Sequence, residues 1–430
     1  MYPVRRTSPA RVLVASTIGL AFGVSSAVNA TFGPFVGSLS RAFGWERGDI
    51  SFAMTIFNLC NIVMYPLAGW LIDRQGPRKV LIPSIILFGP TLIGLSFLSG
   101  PIWQLYVGYG VLAVVAVGTS SIAYARLIVS WFSARRGLAL GVAFGGMGVG
   151  VACFPLIVQT ITKTAGWRTA YIALGVLVTG AVLPFVIGWA RYPEPVESGR
   201  NMSCGATHNA NGLPFREAVR SKHFVLLCVT FGLLGTLTGA IPTHLVPLLV
   251  ERGVDAMHAA GLASVLGLSL MVGRVGAGYL LDRVFGPRVM VVLISLAVIG
   301  LAMMQMGVTG PWVIVAIALI GLTIGADTDF LSYLTSRYVG VRAFSRVYGL
   351  MIGAFTCGMS VGPAVMGYSA NSTGSYRLAL WVIASVTMLA IAPVLFLGPY
   401  PDGWSSAAPL PDRPGGLKAA PTLAARTARR

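Results

Sequence analysis

The sequence predicts an all-α membrane protein, with twelve transmembrane helices in two pseudo-symmetric six-helix bundles. Three observations predict it. Of 430 residues, 55% are hydrophobic and only 10% are charged, with a mean hydropathy of +0.78. Stretches without Asp, Glu, Lys or Arg recur along the chain at the length of a bilayer-crossing helix. Landmarks of the first half return in the second at offsets between 207 and 210 residues.

Composition excludes most other classes first. Soluble domains carry about 25% charged residues, so a soluble enzyme cannot clothe its surface from this chain, and disorder is excluded by the same numbers. The charge-free runs are 12–40, 50–72, 80–125, 137–162, 169–190, 223–250, 256–273, 289–326, 347–376 and 378–401. A spanning helix takes about 20 residues. The runs 80–125 and 289–326 therefore hold two spans each, divided at Gly100-Pro101 and Gly310-Pro311. Proline starts a helix well and is costly inside one. Lipid offers backbone groups no partner, so each run must be helical.

The predicted spans are 12–37, 50–72, 80–99, 102–128, 138–162, 169–190, 223–249, 257–281, 289–308, 311–335, 347–370 and 377–398. They lie in five segments. Residues 1–11 form an N-terminal tail, 12–190 the first bundle, and 191–221 a polar linker with a short surface helix near 214–221. Residues 222–400 form the second bundle and 401–430 a disordered tail rich in Pro, Ala and Arg. Arg5, Arg6 and the following apolar run imitate a signal peptide, but the run is too long and reads as the first span.

Of the 31 Lys and Arg residues, 24 fall on the side of the termini, six on the other side, and Arg274 falls inside a span. The positive-inside rule then places both termini in the cytoplasm of a cell inner or plasma membrane. That bias explains most of the net charge of +18 and removes the need for a nucleic-acid partner. Cys60, Cys153, Cys204, Cys228 and Cys357 occupy no predicted outer loop and show no metal-ligand spacing. No metal, cofactor or catalytic constellation is expected, and no phosphate-cradling G-x-x-x-x-G-K loop occurs. The chain is expected to be a monomer in the bilayer and not an enzyme.

The repeat is sharpest where the second and eighth spans end. Gly69, Asp73, Arg74, Gly76 and Arg78 return as Gly278, Asp282, Arg283, Gly286 and Arg288. A carboxylate at such a place gains from the N-terminus of a neighbouring helix by about 0.3–1 kcal/mol. Asp73 and Asp282 are thus expected to latch one arrangement of the bundles, the alternative being a charge cluster at the membrane surface. Glycines crowd the fifth span (Gly141, Gly145, Gly146, Gly148, Gly150) and the eleventh (Gly349, Gly353, Gly358, Gly362, Gly367), where small residues allow close helix approach.

Three ionisable groups lie inside spans, each costing at least about 2.5 kcal/mol at mid-helix unless paired or hydrated. Arg274 is about 17 residues into its span and Asp327 about 16 into its own, so both lie roughly 25 Å down. Asp329 lies about 200° around the helix from Asp327. A guanidinium holds a carboxylate bidentately and stays charged, so Arg274 suits an anion anchor. One of the two aspartates of the tenth span, Asp327 in preference to Asp329, is expected to neutralise it when the site is empty and to take a proton when an anion displaces it. A static salt bridge between two helices is the alternative. His244, a titratable group towards the outer end of the seventh span, is expected to contact the substrate and suits proton coupling, the alternative being a hydrogen-bonded histidine at the mouth.

These residues resemble the major facilitator superfamily over about 12–398. The motif Gly69-x-Leu71-x-Asp73-Arg74-x-Gly76-Pro77-Arg78-Lys79 with its second copy is the strongest mark. Within that family the chain is similar to the monocarboxylate and oxalate/formate branch. The cues are Trp131-Phe132-x-x-Arg135-Arg136-Gly137-Leu138-Ala139, Gly44-Trp45-Glu46-Arg47 and Gly273-Arg274. The chain departs from it at three places. Its fourth span has no arginine at mid-height, only Arg126 at the inner end. Leu270 stands where relatives often carry Asp, and 347–370 has no cation. The resemblance implies a secondary transporter working by alternating access, with spans 1, 4, 7 and 10 lining the cavity. Asn29 and Tyr124 are then ligand contacts. The expected cargo is a small organic anion, a monocarboxylate, moved with a proton. The alternatives are efflux of amphiphilic drug-like compounds and a non-transporting membrane sensor.

Overall fold

The computed structural model describes residues 8–132, 135–190, 212–308 and 310–401. The polar linker up to 211 and the tail from 402 lie outside the described residues, as does Cys204. Among those described, helices follow one another with only an isolated bridge between Gly212 and Gly340.

The first bundle holds α1 (Pro9–Phe43), α2 (Arg47–Gln75), α3 (Pro77–Phe97) and α4 (Trp103–Trp131). A 54-residue helical run, Arg136–Trp189, follows. Within it Gly166 has φ 88° and ψ 162°, which a side chain would strain. The chain therefore turns back there without a loop, giving α5 (136–165) and α6 (167–189). The second bundle holds α7 (Lys222–Glu251), α8 (Met257–Leu281), α9 (Gly286–Gln305), α10 (Pro311–Tyr338), α11 (Phe344–Thr373) and α12 (Arg377–Leu395). Pro77 and Pro311 begin their helices as expected. The short helix expected before the second bundle is Phe215–Arg220.

Two helices of the first bundle are not continuous. α1 runs as Pro9–Ala21, a π-helical turn over Ser25–Asn29, and Phe32–Phe43. The turn is tied outward by the Ser26 hydroxyl, which donates to the Met147 carbonyl at 3.4 Å. α4 runs as Trp103–Ala116, a 3-10 turn over Val117–Thr119, an extended Ser120 (ψ 171°), and Ser121–Trp131. Their counterparts α7 and α10 are unbroken.

Packing repeats with the sequence. α1 lies on α5 as α7 lies on α11, and α3 on α6 as α9 on α12. Between bundles, α2 meets α11 and α5 meets α8. Glycines make these approaches possible: Gly146 and Gly150 face α1 backbone, and Gly358 and Gly362 face α7 backbone. Gly145, Gly148 and Gly367 meet nothing within 4 Å, so they are not part of the expected close packing. Large apolar side chains such as Leu59, Leu156, Leu268 and Trp381 are exposed, as a chain that lies in hydrocarbon tolerates.

The buried apolar residues form three clusters. One crosses both bundles on the side of the chain termini, joining Ile128, Phe144, Leu281, Phe330, Tyr348 and Leu397 among others. The other two lie on the opposite side, one wholly within the first bundle and one wholly within the second. The bundles are therefore sealed together at the terminal side and separate at the other.

Candidate functional site

The seal is held at two symmetric points. Asp73, at the end of α2, accepts the backbone N–H groups of Ser345 (3.2 Å) and Arg346 (3.0 Å), which begin α11. Asp282, just past α8, accepts those of Gly137 (2.7 Å) and Leu138 (2.8 Å), which begin α5. The first N–H groups of a helix have no intrahelical acceptor and carry the positive end of its dipole. Each carboxylate thus fills the vacant N-terminus of a helix in the opposite bundle. Glycine permits the approach. A Cβ on Gly278 would lie 2.6 Å from the Gly137 carbonyl oxygen, and one on Gly69 would collide with the Ser345 carbonyl.

The rest of the repeated motif does something else. Arg74 lies over the Trp70 ring, Arg283 over Tyr279 and Arg288 over Phe285, each within its own bundle. Arg78 donates to the Ile187 carbonyl at 2.7 Å, tying α3 to α6. Gly76 makes the turn between α2 and α3, and the Gly286 N–H donates to the Tyr400 hydroxyl at 2.9 Å. Of the ten residues expected at the gate, Gly69, Asp73, Gly278 and Asp282 reach across it. The other six shape the ends of the helices that do. Two arginines outside the motif also cross: Arg136 donates to the Ser336 hydroxyl at 3.1 Å, and Arg126 to the Val341 carbonyl.

At mid-height the expected ion pair is not formed. Among the described residues no carboxylate lies within 4.0 Å of Arg274. Its Nη1 instead crosses to α5 and donates to the Phe144 carbonyl at 3.0 Å. Asp327 accepts from the Thr238 hydroxyl on α7, inside its own bundle. The sealed interface brings α5 backbone against α8, where the guanidinium finds the Phe144 carbonyl, and the Asp327 side chain finds a hydroxyl on α7. Asp329 is fully buried, and neither of its carboxyl oxygens meets a hydrogen-bond donor. The Tyr348 ring on α11 lies within electrostatic reach of both Asp329 and Arg274. Its hydroxyl is 3.4 Å from that of Ser121 on α4.

The other expected contacts are scattered. Tyr124 is buried in the same shared cluster, with its ring against Gly19 of α1 and its hydroxyl unpartnered. Asn29 ends the π turn of α1 and is exposed. His244 lies on α7 towards the end that meets α12, with Nδ1 3.4 Å from the Tyr376 hydroxyl. Sequence reasoning passed over Thr238, Ser121, Ser345 and Tyr348. Hydroxyls are common in spans, and nothing in their spacing singles out those that meet an acid or another bundle.

Comparison with known proteins gives a consistent picture. The family model described as Major Facilitator Superfamily matches residues 18–327. Monocarboxylate transporter 13 of Rattus norvegicus is 27% identical over 386 residues, covering 89% of this chain and 86% of that protein. A probable sulfoacetate transporter of Cupriavidus necator is 27% identical over 391 residues, covering 84% and 87%. Among solved structures, the human organic anion transporter MFSD10 superposes with a TM-score of 0.70 at 14% identity, covering 92% of this chain and all of that one. FucP of E. coli in its outward conformation gives 0.65 at 15% identity, covering 91% and 99%. Likeness at such identity speaks for the fold.

Proposed function

Because this chain belongs to the Major Facilitator Superfamily, we propose that it is a secondary active transporter of a small organic acid, a monocarboxylate, moved together with a proton. The observation that carries the reading is Arg274. It is a guanidinium at mid-membrane, partly exposed, at the seam of two bundles and, among the described residues, with no carboxylate within 4.0 Å. Such a cation gains most from an anionic ligand that can displace its weaker carbonyl contact. Relatives named for monocarboxylate and sulfoacetate transport support an anionic cargo. The two buried carboxyls of α10 supply proton-binding groups near the anchor.

With the terminal side cytoplasmic, as the positive-inside bias favours, the molecule described is shut inward and parted outward. Asp73 and Asp282 hold this outward-facing state. Alternating access requires both contacts to break together, since each ties one bundle to the other. The protein acts as a monomer in a cell inner or plasma membrane. Uptake of a panel of labelled organic acids into proteoliposomes, with and without an imposed pH gradient, tests the reading. One monocarboxylate should accumulate more strongly with the interior alkaline. If no acid in the panel enters above protein-free vesicles, the cargo class is wrong. Entry indifferent to the gradient removes the proton.

A further inference from the structure

The shut terminal side brings together two guanidiniums from opposite bundles. Arg136 is the first residue of α5, and Arg337 lies in the last turn of α10. They stand within electrostatic reach of each other, and both are half-buried. Among the described residues no carboxylate lies within 4.0 Å of either. Asp282 is within electrostatic reach of Arg136, but its two oxygens accept the N–H groups of Gly137 and Leu138. The cations are left with neutral oxygens. Arg136 donates through Nε to the Phe132 carbonyl and through Nη1 to the Ser336 hydroxyl, each at 3.1 Å. Arg337 donates through Nη2 to the Tyr333 hydroxyl at 3.1 Å, and its Nε is buried with no acceptor.

Like charges so placed repel, and a charged N–H buried without an acceptor is costly. The rings of Tyr333 and Tyr400 flank Arg337, and the Tyr333 O–H is committed to the Leu281 carbonyl at 2.7 Å. What the place lacks is an anion with several acceptor oxygens. A phosphate group supplies them. A guanidinium meets it with parallel N–H groups, and two guanidiniums match its double charge. Both arginines stand at the terminal ends of spanning helices, within reach of water and of lipid headgroups.

We propose that Arg136 and Arg337 form a binding site for a phosphate-class dianion, free or carried on a lipid headgroup, which bridges the two bundles while the terminal side is shut. Parting the bundles separates the two cations and dissolves the site. By mass action the bound dianion favours the shut arrangement, so it acts as a brake on alternation. The site goes beyond the transport reading above. It lies at the helix ends and not at mid-height with Arg274, and its occupant need not be cargo.

The test is equilibrium binding of radiolabelled inorganic phosphate to the full chain in phosphatidylcholine nanodiscs, at about pH 8, where phosphate carries nearly two charges. Binding should saturate at one site per chain. Arg136→Gln and Arg337→Gln should each weaken it by at least about tenfold. Arg220→Gln, on the exposed face of the short helix before α7, should not. Gly278→Val, which has no room to bring α8 against Gly137, should weaken binding as the arginine variants do. If a glutamine variant does not fold, Arg136→Lys or Arg337→Lys is read in its place and should still weaken binding, because the fork is lost. Nanodiscs containing phosphatidic acid separate the two sources. Loss of phosphate binding there assigns the site to a headgroup, and unchanged binding assigns it to phosphate from water. Absence of saturable binding in phosphatidylcholine overturns the proposal. So does parental binding in either arginine variant or in Gly278→Val, and so does an equal loss in Arg220→Gln.

Discussion

The two bundles share a helix order and a motif, yet they treat the middle of the membrane differently. In the first, α1 and α4 break their helical ladders at Ser25–Asn29 and Val117–Ser120 and carry no charge there. In the second, α7 and α10 are unbroken, and the polar groups are ionisable side chains: Arg274, Asp327 and Asp329. One half offers loosened backbone and hydroxyls, the other offers charge. Both are expensive in hydrocarbon and persist where they face a seam or a cavity. The asymmetry teaches that the repeat preserves the contact between bundles on the terminal side, which both halves make alike, and not the centre, where they differ.

The largest effect should come from the charged half. Arg274→Lys keeps the charge but loses the planar fork, and a bidentate charged contact is worth about 1.5–3 kcal/mol. Uptake should fall by roughly ten- to a hundredfold, with the protein still inserted and folded by size-exclusion profile. Unchanged uptake would remove the anchor and return the two halves to equal standing.

Next comes the symmetry of the gate itself. Asp73→Asn and Asp282→Asn each weaken two charge-assisted bonds to a helix N-terminus. Each should shift the gate towards open by a similar amount, about 1–2 kcal/mol. Spin labels at cysteines replacing Lys79 and Lys222, exposed at the terminal ends of α3 and α7, read this directly once the native cysteines are replaced. A large shift from one and none from the other would mean the repeat is ornamental in one half. Gly278→Val should prevent closure outright, because its Cβ has no room beside Gly137, whereas Gly145→Val, which faces open space, should not.

A smaller change is expected at Thr238. Replacing it with Val leaves Asp327 without its donor, which costs about 1–3 kcal/mol of stability, read as a lowered melting temperature in detergent. The smallest is Tyr124→Phe. Its hydroxyl is buried and unpartnered, so removing it should leave the melting temperature unchanged or slightly raised. Any loss of uptake in that variant would then report a ligand contact supplied by the first bundle.

Much of the fold is legible from charge alone. The charge-free runs place all twelve spans, and Gly100-Pro101 and Gly310-Pro311 divide the two long ones where the helices do divide. The ends are less well marked. α1 continues to Phe43, beyond the expected 37, because Ser40, Arg41 and the residues around them remain helical outside the apolar stretch. The gap expected at 163–168 shrinks to the single residue Gly166, since a charged pair such as Lys163 and Arg168 can sit on a helix end as well as in a loop. The break in α4 left no trace. Gly118, Thr119 and Ser120 are ordinary residues in such a span, and nothing in their types marks Ser120 as extended.

At the site, the unusual residues were conspicuous and their partners were not. Arg274, Asp327 and Asp329 stand out because hydrocarbon penalises charge wherever it occurs. Depth along the helix brought Arg274 and Asp327 level, but level is not contact. The guanidinium goes to Phe144 and the carboxyl to Thr238.

The sequence by itself determined what the bilayer decides: the number of spans, the side that carries the basic loops, and the repeat with its two matched acids. These follow from the cost of charge and of unpaired backbone in lipid, which acts on each segment singly. Only the tertiary structure decided which side is sealed, which six of the ten motif residues stay within their own bundle, and which buried acid has no partner. Those depend on the relative placement of two packed bundles, and such placement is a property of pairs of helices that no single segment carries.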